Sequence, residues 1–84
     1  MTFGEALEKL KEGKKISRTG WNGKKQYLGL ASNISFVDFN GNVENVNHNT
    51  MGNKAIVFYG TSGIQVGWLA SQSDMLSEDW YEVE

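Results

Sequence analysis

The chain has 84 residues, no cysteine, one histidine and a formal net charge of −2. This length predicts one domain, and the lack of thiols excludes disulfides and thiolate metal sites. A single histidine argues against a histidine-rich metal site, and the acidic balance argues against a dedicated DNA or RNA binder. Because a domain this small buries only about 60% of its unfolded surface, we expect oligomerisation to add stability.

Positive charge is concentrated at the start of the chain. Residues 1–25 contain seven of the eight Lys and Arg residues but only three of the ten acidic residues. This patch either receives a small anion such as phosphate or pairs electrostatically with the acidic remainder of the domain or with another subunit. No apolar run approaches the ~18 residues that span a membrane, and no signal-peptide pattern is present, so a cytoplasmic location is expected.

The first predicted element is a helix in the segment MTFGEALEKLKEG. Thr2 and Glu5 have the spacing of a capping box. Apolar residues follow at i, i+3, i+4 and i+7 from Phe3, which places them on one helical face. Gly13 is placed to end the helix, since glycine is favoured just beyond a helical C-terminus.

Short strands and turns are predicted after Gly13. KKISR and KQYLGLA are predicted as strands on either side of the turn TGWNG, and residues 36–46 are predicted as a hairpin around NGN. NHNTMGNK is predicted as a loop. AIVFYG is predicted as the most buried strand. IQVGWLA is predicted as a strand with Ile64, Val66 and Trp68 on one face. Ser71 and Asp74 predict a capped helical turn, and WYEVE a last strand.

The fold class is therefore α+β. It comprises an N-terminal helix followed by a mostly antiparallel sheet of about six or seven short strands, with a short helical turn near the C-terminus. The chain, residues 1–84, shows no linker or internal repeat.

Catalytic patterns are weak. The one histidine, His48, lies in an Asn-rich segment, where a solvated side chain is the ordinary state. Asp74 and Glu78 have the spacing of a carboxylate pair on one helical face. Acidic residues at the start of a short helix more often stabilise its positive end, however. These residues do not indicate an enzyme.

Aromatic residues stand beside turns and near charges. Phe3 begins the helix, Trp21 lies in a glycine-framed turn and Trp68 follows a strand. Aromatic faces can clamp a planar base, and the free N–H groups at a helix start favour an anion. Arg18 and the lysine pair at 24 and 25 would add charge for a phosphate. Together these features are the parts of a nucleotide-sized pocket.

The same aromatic residues also allow a purely structural interpretation. Phe3, Trp68 and Trp80 can fill the core, and Trp21 can fill a subunit interface. Spacing alone leaves both interpretations open.

Three blocks of the sequence resemble one family. They are MTFGEALEKLKEGKKISRTGWNGK, QYLGL and GWLASQSDMLSEDWYEVE. They look like the start, the following strand and the closing run of a small phage and prophage family, long catalogued as a domain of unknown function. That family is known as the Thoeris anti-defence proteins of the second type. Ala70 stands where many members have a proline, which is a local departure from the pattern.

The resemblance implies a non-enzymatic function without a cofactor. Family members act as sponges that bind a cyclic ADP-ribose-type immune signal in the cytoplasm of the infected host, and some hold cyclic dinucleotides at a separate site. The segment NVNHNTMGN is a place for such a site on composition alone. The family assembles as homotetramers with pockets between subunits, and residues 1–84 would form a single ligand-binding domain. The alternative is a structural or protein-interaction module of a phage without a small-molecule ligand.

The resemblance also implies site residues. Phe3, Trp21 and Trp68 would clamp the adenine, and Asp74 would accept hydrogen bonds from the base or the ribose. The turn residues that would add backbone and phosphate contacts are Asn22, Gly23 and Lys24.

Overall fold

The computed structural model describes residues 1–21, 25–46 and 54–84. Within these ranges the chain forms two helices and seven strands, in agreement with the expected α+β class. In chain order the elements are α1 (Phe3–Lys11), β1 (Lys15–Arg18), β2 (Tyr27–Ala31), β3 (Ser35–Val37), β4 (Val43–Asn45), β5 (Ala55–Gly60), β6 (Gly63–Val66), α2 (Gln72–Leu76) and β7 (Trp80–Val83).

Helix α1 begins and ends at the predicted signals. The Glu5 amide donates to the Thr2 hydroxyl at 3.2 Å, and the Thr2 amide donates to the Glu5 carboxylate at 2.9 Å. This capping box satisfies two N–H groups that have no partner inside the helix. Gly13 has a φ of 87°, a left-handed conformation that glycine adopts without a Cβ penalty.

Five strands form one antiparallel sheet in the order β6-β5-β2-β1-β7. Helix α1 covers one face of the sheet and closes the core against it. The side chains of this core are Ala6, Leu10, Ile16, Leu28 and Trp80, each no more than 2% exposed. Register pairs Ile16 with Leu28 and Arg18 with Trp80, so residues from three strands meet beneath the helix.

Strands β3 and β4 form a separate two-stranded hairpin, as predicted. Its turn is held by Asp38, whose carboxylate accepts hydrogen bonds from the amides of Asn40 and Asn42, each at 2.9 Å. Apolar side chains on the hairpin remain more than half exposed in the described part of the chain. They are Phe36 (54%), Val37 (65%), Phe39 (110%) and Val43 (69%).

Two sequence expectations about the sheet were wrong. AIVFYG became β5, in which only Val57 is buried, whereas β1 buries both Ile16 and Ser17. The reason is the position of the helix, because α1 packs against β1, β2 and β7, whereas β5 lies on the far side of β2. Strand β6 is an edge strand with Ile64 and Val66 exposed, and Trp68 lies beyond its end rather than continuing its face.

The predicted loop NHNTMGNK lies outside the described residues except for Lys54. The last two residues of the predicted turn TGWNG, Asn22 and Gly23, also lie outside them. No helix among the described residues is long and apolar enough to cross a membrane.

Candidate functional site

The three aromatic side chains expected at the ligand site come together around a fourth. Phe3 at the start of α1, Trp21 after β1 and Trp68 after β6 all pack on Trp80, the first residue of β7. The ring centroids lie 5.4 Å from Trp80 for Phe3, 5.4 Å for Trp21 and 6.3 Å for Trp68. Trp80 is only 2% exposed, whereas the three surrounding rings are half-buried. We call these four residues the aromatic cluster.

The rings of the aromatic cluster fill the space between one another. Trp21 meets Trp68 at 6.3 Å and 66°, and Trp80 at 5.4 Å and 79°. Phe3 meets Trp68 at 6.4 Å and 57°. A base inserted between two rings would need parallel planes about 7 Å apart, twice a van der Waals contact. Within one chain, a planar ligand can therefore stack only on the outward faces of the half-buried rings.

The backbone after β6 fixes the place of Trp68. Gly67 has a φ of 86°, and the amides of Gly67 and Trp68 both donate to the Ile56 carbonyl at 3.0 Å. This tight turn folds the chain back against β5, and the indole packs on Phe3 and Trp80. A residue with a Cβ at position 67 would be strained, since L side chains rarely adopt this φ.

Asp74 belongs to a buried polar network rather than to an open surface. It occupies the third position of α2, where one carboxylate oxygen accepts from the Ser71 amide and hydroxyl, each at 2.9 Å. The other oxygen accepts from Nη1 of Arg18 at 2.8 Å. The carbonyl of Asp74 accepts from the indole nitrogen of Trp80 at 2.9 Å. Asp74 therefore links α2 to the aromatic cluster.

Arg18 is the centre of this network. Its Nε donates to Asp79 at 2.9 Å, its Nη1 to Asp74 and its Nη2 to the Ser77 hydroxyl at 2.5 Å. The guanidinium also lies 5.9 Å from the Trp80 ring centroid. The sequence suggested Arg18 as a charge for the ligand phosphate. In the structure two carboxylates already neutralise that charge, so Arg18 acts as a structural cation.

The pKa directions follow from these contacts. The hydrogen bond from Arg18 is the main reason that the pKa of Asp79 lies below its usual range, and the hydrogen bond from the Gly20 amide lowers it further. Burial works to raise the pKa of Asp74, but hydrogen bonds from Ser71, Arg18 and the Trp21 side chain outweigh it and the net pKa is lowered. The two carboxylates, Asp79 first, raise the pKa of Arg18. All three groups are thus held in their charged forms.

A cleft of about 540 Å³ opens on the outer side of Trp68, between the end of α1 and strands β2 and β5. The volume lies within the ~300–1,000 Å³ range of small-molecule sites. Two lysines, one from the end of α1 and one just before β5, contribute to an otherwise apolar lining. The lining residues are Leu30, Ala55, Ile56, Gly67, Trp68, Lys11 and Lys54. The sequence did not single out either lysine, because they are 43 residues apart in the chain.

The turn residues Asn22, Gly23 and Lys24 lie outside the described residues, as do residues 47–53 of the segment considered for a second site. Residues 1–21, 25–46 and 54–84 contain no group of three or more His, Cys, Asp or Glu side chains that could hold a metal ion.

Comparison with known proteins gives a family match and a curated relative. Residues 1–83 match the model of the Tad2-like family, described as a Thoeris anti-defense 2-like domain. The chain is also 45% identical over 83 residues to a curated protein of Bacillus phage SP01 named "Thoeris anti-defense 2". That alignment covers 95% of this chain and 91% of the phage protein. The aromatic cluster, the polar network and the cleft all lie within the matched residues.

Proposed function

Since the chain belongs to the Thoeris anti-defense 2-like family, we propose that it sequesters a cyclic ADP-ribose-type immune signal without degrading it. Family membership supports a phage anti-defence role. In this proposal residues 1–84 act as one ligand-binding domain in the cytoplasm of the infected host. Storage of a signal requires affinity and slow release rather than stabilisation of a transition state.

One observation carries the proposal: Trp68 belongs to the aromatic cluster and also forms a wall of the cleft. Base stacking on an aromatic side chain contributes about 1–3 kcal/mol per base. The indole is held from behind by Trp21, Phe3 and Trp80, so little side-chain freedom is lost when a base stacks on its outward face. Phe3 and Trp21 then support the stack or extend it towards a neighbouring subunit. Asp74 fixes α2 beside them and remains a candidate hydrogen-bond acceptor for the ligand.

Release by heat separates storage from hydrolysis and from absence of binding. The protein is incubated with a cyclic ADP-ribose isomer made by a TIR synthase, freed of unbound ligand by filtration, and then heated. We expect intact isomer to appear in the supernatant only after heating, as measured by mass spectrometry. A cleaved product would indicate an enzyme. Complete recovery of the isomer in the first filtrate would favour a structural or protein-interaction module.

The same proposal includes a homo-oligomer, with a tetramer favoured by the family resemblance. Two-stranded hairpins are only marginally stable alone, and the β3–β4 hairpin exposes Phe36 and Phe39 together with two valines. Apolar side chains exposed in this way are typical of surfaces that another protein covers. We assign a second copy of this chain as that partner, because a domain of this size gains stability by assembly.

Replacing Phe39 with serine tests this interface. We expect Phe39→Ser to shift the protein towards monomer at micromolar concentration, because it removes apolar area from the contact. Multi-angle light scattering after size exclusion measures the mass. Leu76→Ser is the matched control, since Leu76 is also exposed (79%) but lies on α2, away from the hairpin. A parent protein that is already monomeric, or equal masses for both variants and the parent, would contradict the assignment.

A further inference from the structure

The cleft beside Trp68 has two chemically different parts. Leu30, Ile56 and Trp68 give it an apolar floor and one aromatic wall, while Lys11 and Lys54 also line the same space. No carboxylate is among the described residues that line it. A complementary ligand therefore combines a flat apolar ring system with at least one anionic group.

The two lysines are available for a ligand in a way that Arg18 is not. Nζ of Lys11 lies 3.4 Å from the Glu8 carboxylate, but both side chains are largely exposed (68% and 70%), and such a pair is weak. Lys54 is exposed and directly precedes β5. The guanidinium of Arg18, by contrast, is 14% exposed and donates to Asp74, Asp79 and Ser77.

The cleft is large enough for one nucleotide-type molecule. A volume of about 540 Å³ accommodates a base and a sugar with their phosphates, and it is bounded on one side by the fixed Trp68 turn. An anion placed between Lys11 and Lys54 would be within reach of a ring stacked on the Trp68 indole, because all three residues line the same cavity.

We propose that this cleft is the phosphate subsite of the ligand site, with Lys11 and Lys54 binding the pyrophosphate of a nucleotide whose base stacks on Trp68. This inference rests on the proposed function and deepens it. It assigns the anion recognition to two lysines brought together by the fold, and it gives Arg18 only the role of holding Asp74 and Asp79 in place.

The test is the double variant Lys11→Gln/Lys54→Gln, with a cyclic ADP-ribose isomer as the charged probe and adenosine as the uncharged probe. We expect the affinity for the isomer to fall by about 10- to 100-fold, the range for charged hydrogen bonds. Adenosine binding should change little, because no phosphate is present. The salt dependence of binding should also flatten, since exposed charge pairs are screened by salt. Isothermal titration calorimetry at two salt concentrations measures both effects.

The matched control is Lys14→Gln/Lys15→Gln, which removes the same charge outside the cleft. Lys15 lies over the ring of Tyr27, 5.0 Å from its centroid, and Lys14 is exposed. Parent-like affinity for the isomer in the Lys11/Lys54 variant would overturn the phosphate subsite while leaving the sponge function intact. An equal loss of affinity in the control variant would also overturn the phosphate subsite, because the change in the net charge of the protein would then explain the loss. No binding by the parent would overturn the sponge function and this subsite together.

Discussion

Trp68→Ala is expected to weaken binding of a cyclic ADP-ribose isomer by about 1–3 kcal/mol, or roughly 5- to 150-fold, by removing the outward stacking face. The effect should exceed that of Trp21→Ala, because Trp21 also packs edge-on against Phe58 at 5.5 Å and 90° and is more closely tied to the core. Titration calorimetry on both variants measures the difference, and light scattering checks that the oligomer survives.

Two further variants make the test of Trp68 specific. Trp68→Phe keeps an aromatic face and should restore part of the affinity that Trp68→Ala loses. Leu69→Ala removes an apolar side chain that is 89% exposed one residue further along the chain, and it should bind like the parent. If Trp68→Ala binds as tightly as the parent, Trp68 fills only the core and the ligand lies elsewhere.

Arg18→Ala is expected to lower the free energy of unfolding by roughly 2–3 kcal/mol at pH 7. Removing the guanidinium deprives Asp74 of one partner in a site where that carboxylate is 12% exposed. The cost should be less than the ~3–5 kcal/mol of a fully buried pair, because the other partner, Asp79, is 34% exposed and can recover water. Urea unfolding at fixed protein concentration measures the change, since assembly makes stability depend on concentration.

The stability of the parent protein and that of Arg18→Ala should depend differently on pH. The folded-state pKa values of Asp74 and Asp79 are both lowered, so their stabilising contribution is present above the ordinary aspartate pKa of about 3.9 and is lost as pH falls below it. The difference in unfolding free energy between parent and Arg18→Ala should therefore narrow from pH 7 to pH 3. A difference that stays constant would mean that the ion pairs do not stabilise the fold.

A second ion pair in the structure, between Lys9 and Glu82, provides a control for the Arg18 variants. Nζ of Lys9 lies 3.8 Å from the Glu82 carboxylate, and both side chains are about 40% exposed. Because exposed ion pairs contribute about 0–1 kcal/mol, Lys9→Ala should change the unfolding free energy much less than Arg18→Ala. Arg18→Lys keeps the charge but not the three-way donor geometry, and we expect an intermediate stability.

Local features of the fold were predictable because their signals are contiguous in sequence. The capping boxes of Thr2 with Glu5 and of Ser71 with Asp74 need only a spacing of three residues, and both are present. The burial of individual strands was less predictable. β-branched and aromatic residues favour any pleated, half-buried surface, so the composition of AIVFYG could not show which strands α1 would cover.

The aromatic cluster was predictable in its residue types but not in its arrangement. Phe3, Trp21 and Trp68 do meet, but they meet over Trp80, which the sequence had assigned only to a core position. The partners of Arg18 lie 56 and 61 residues further along the chain. Contacts of this range depend on strand order and register, which short motifs do not encode.

The aromatic cluster also determines how the protein interacts with light. It contains all three tryptophans of the chain, and each pair of their ring centroids lies within 6.3 Å. At such separations excitation passes readily from one indole to the next, so the ultraviolet emission of the whole protein reports on a single place. A base stacked on Trp68 would alter the emission of all three indoles, so the proposed ligand capture would be visible without a label.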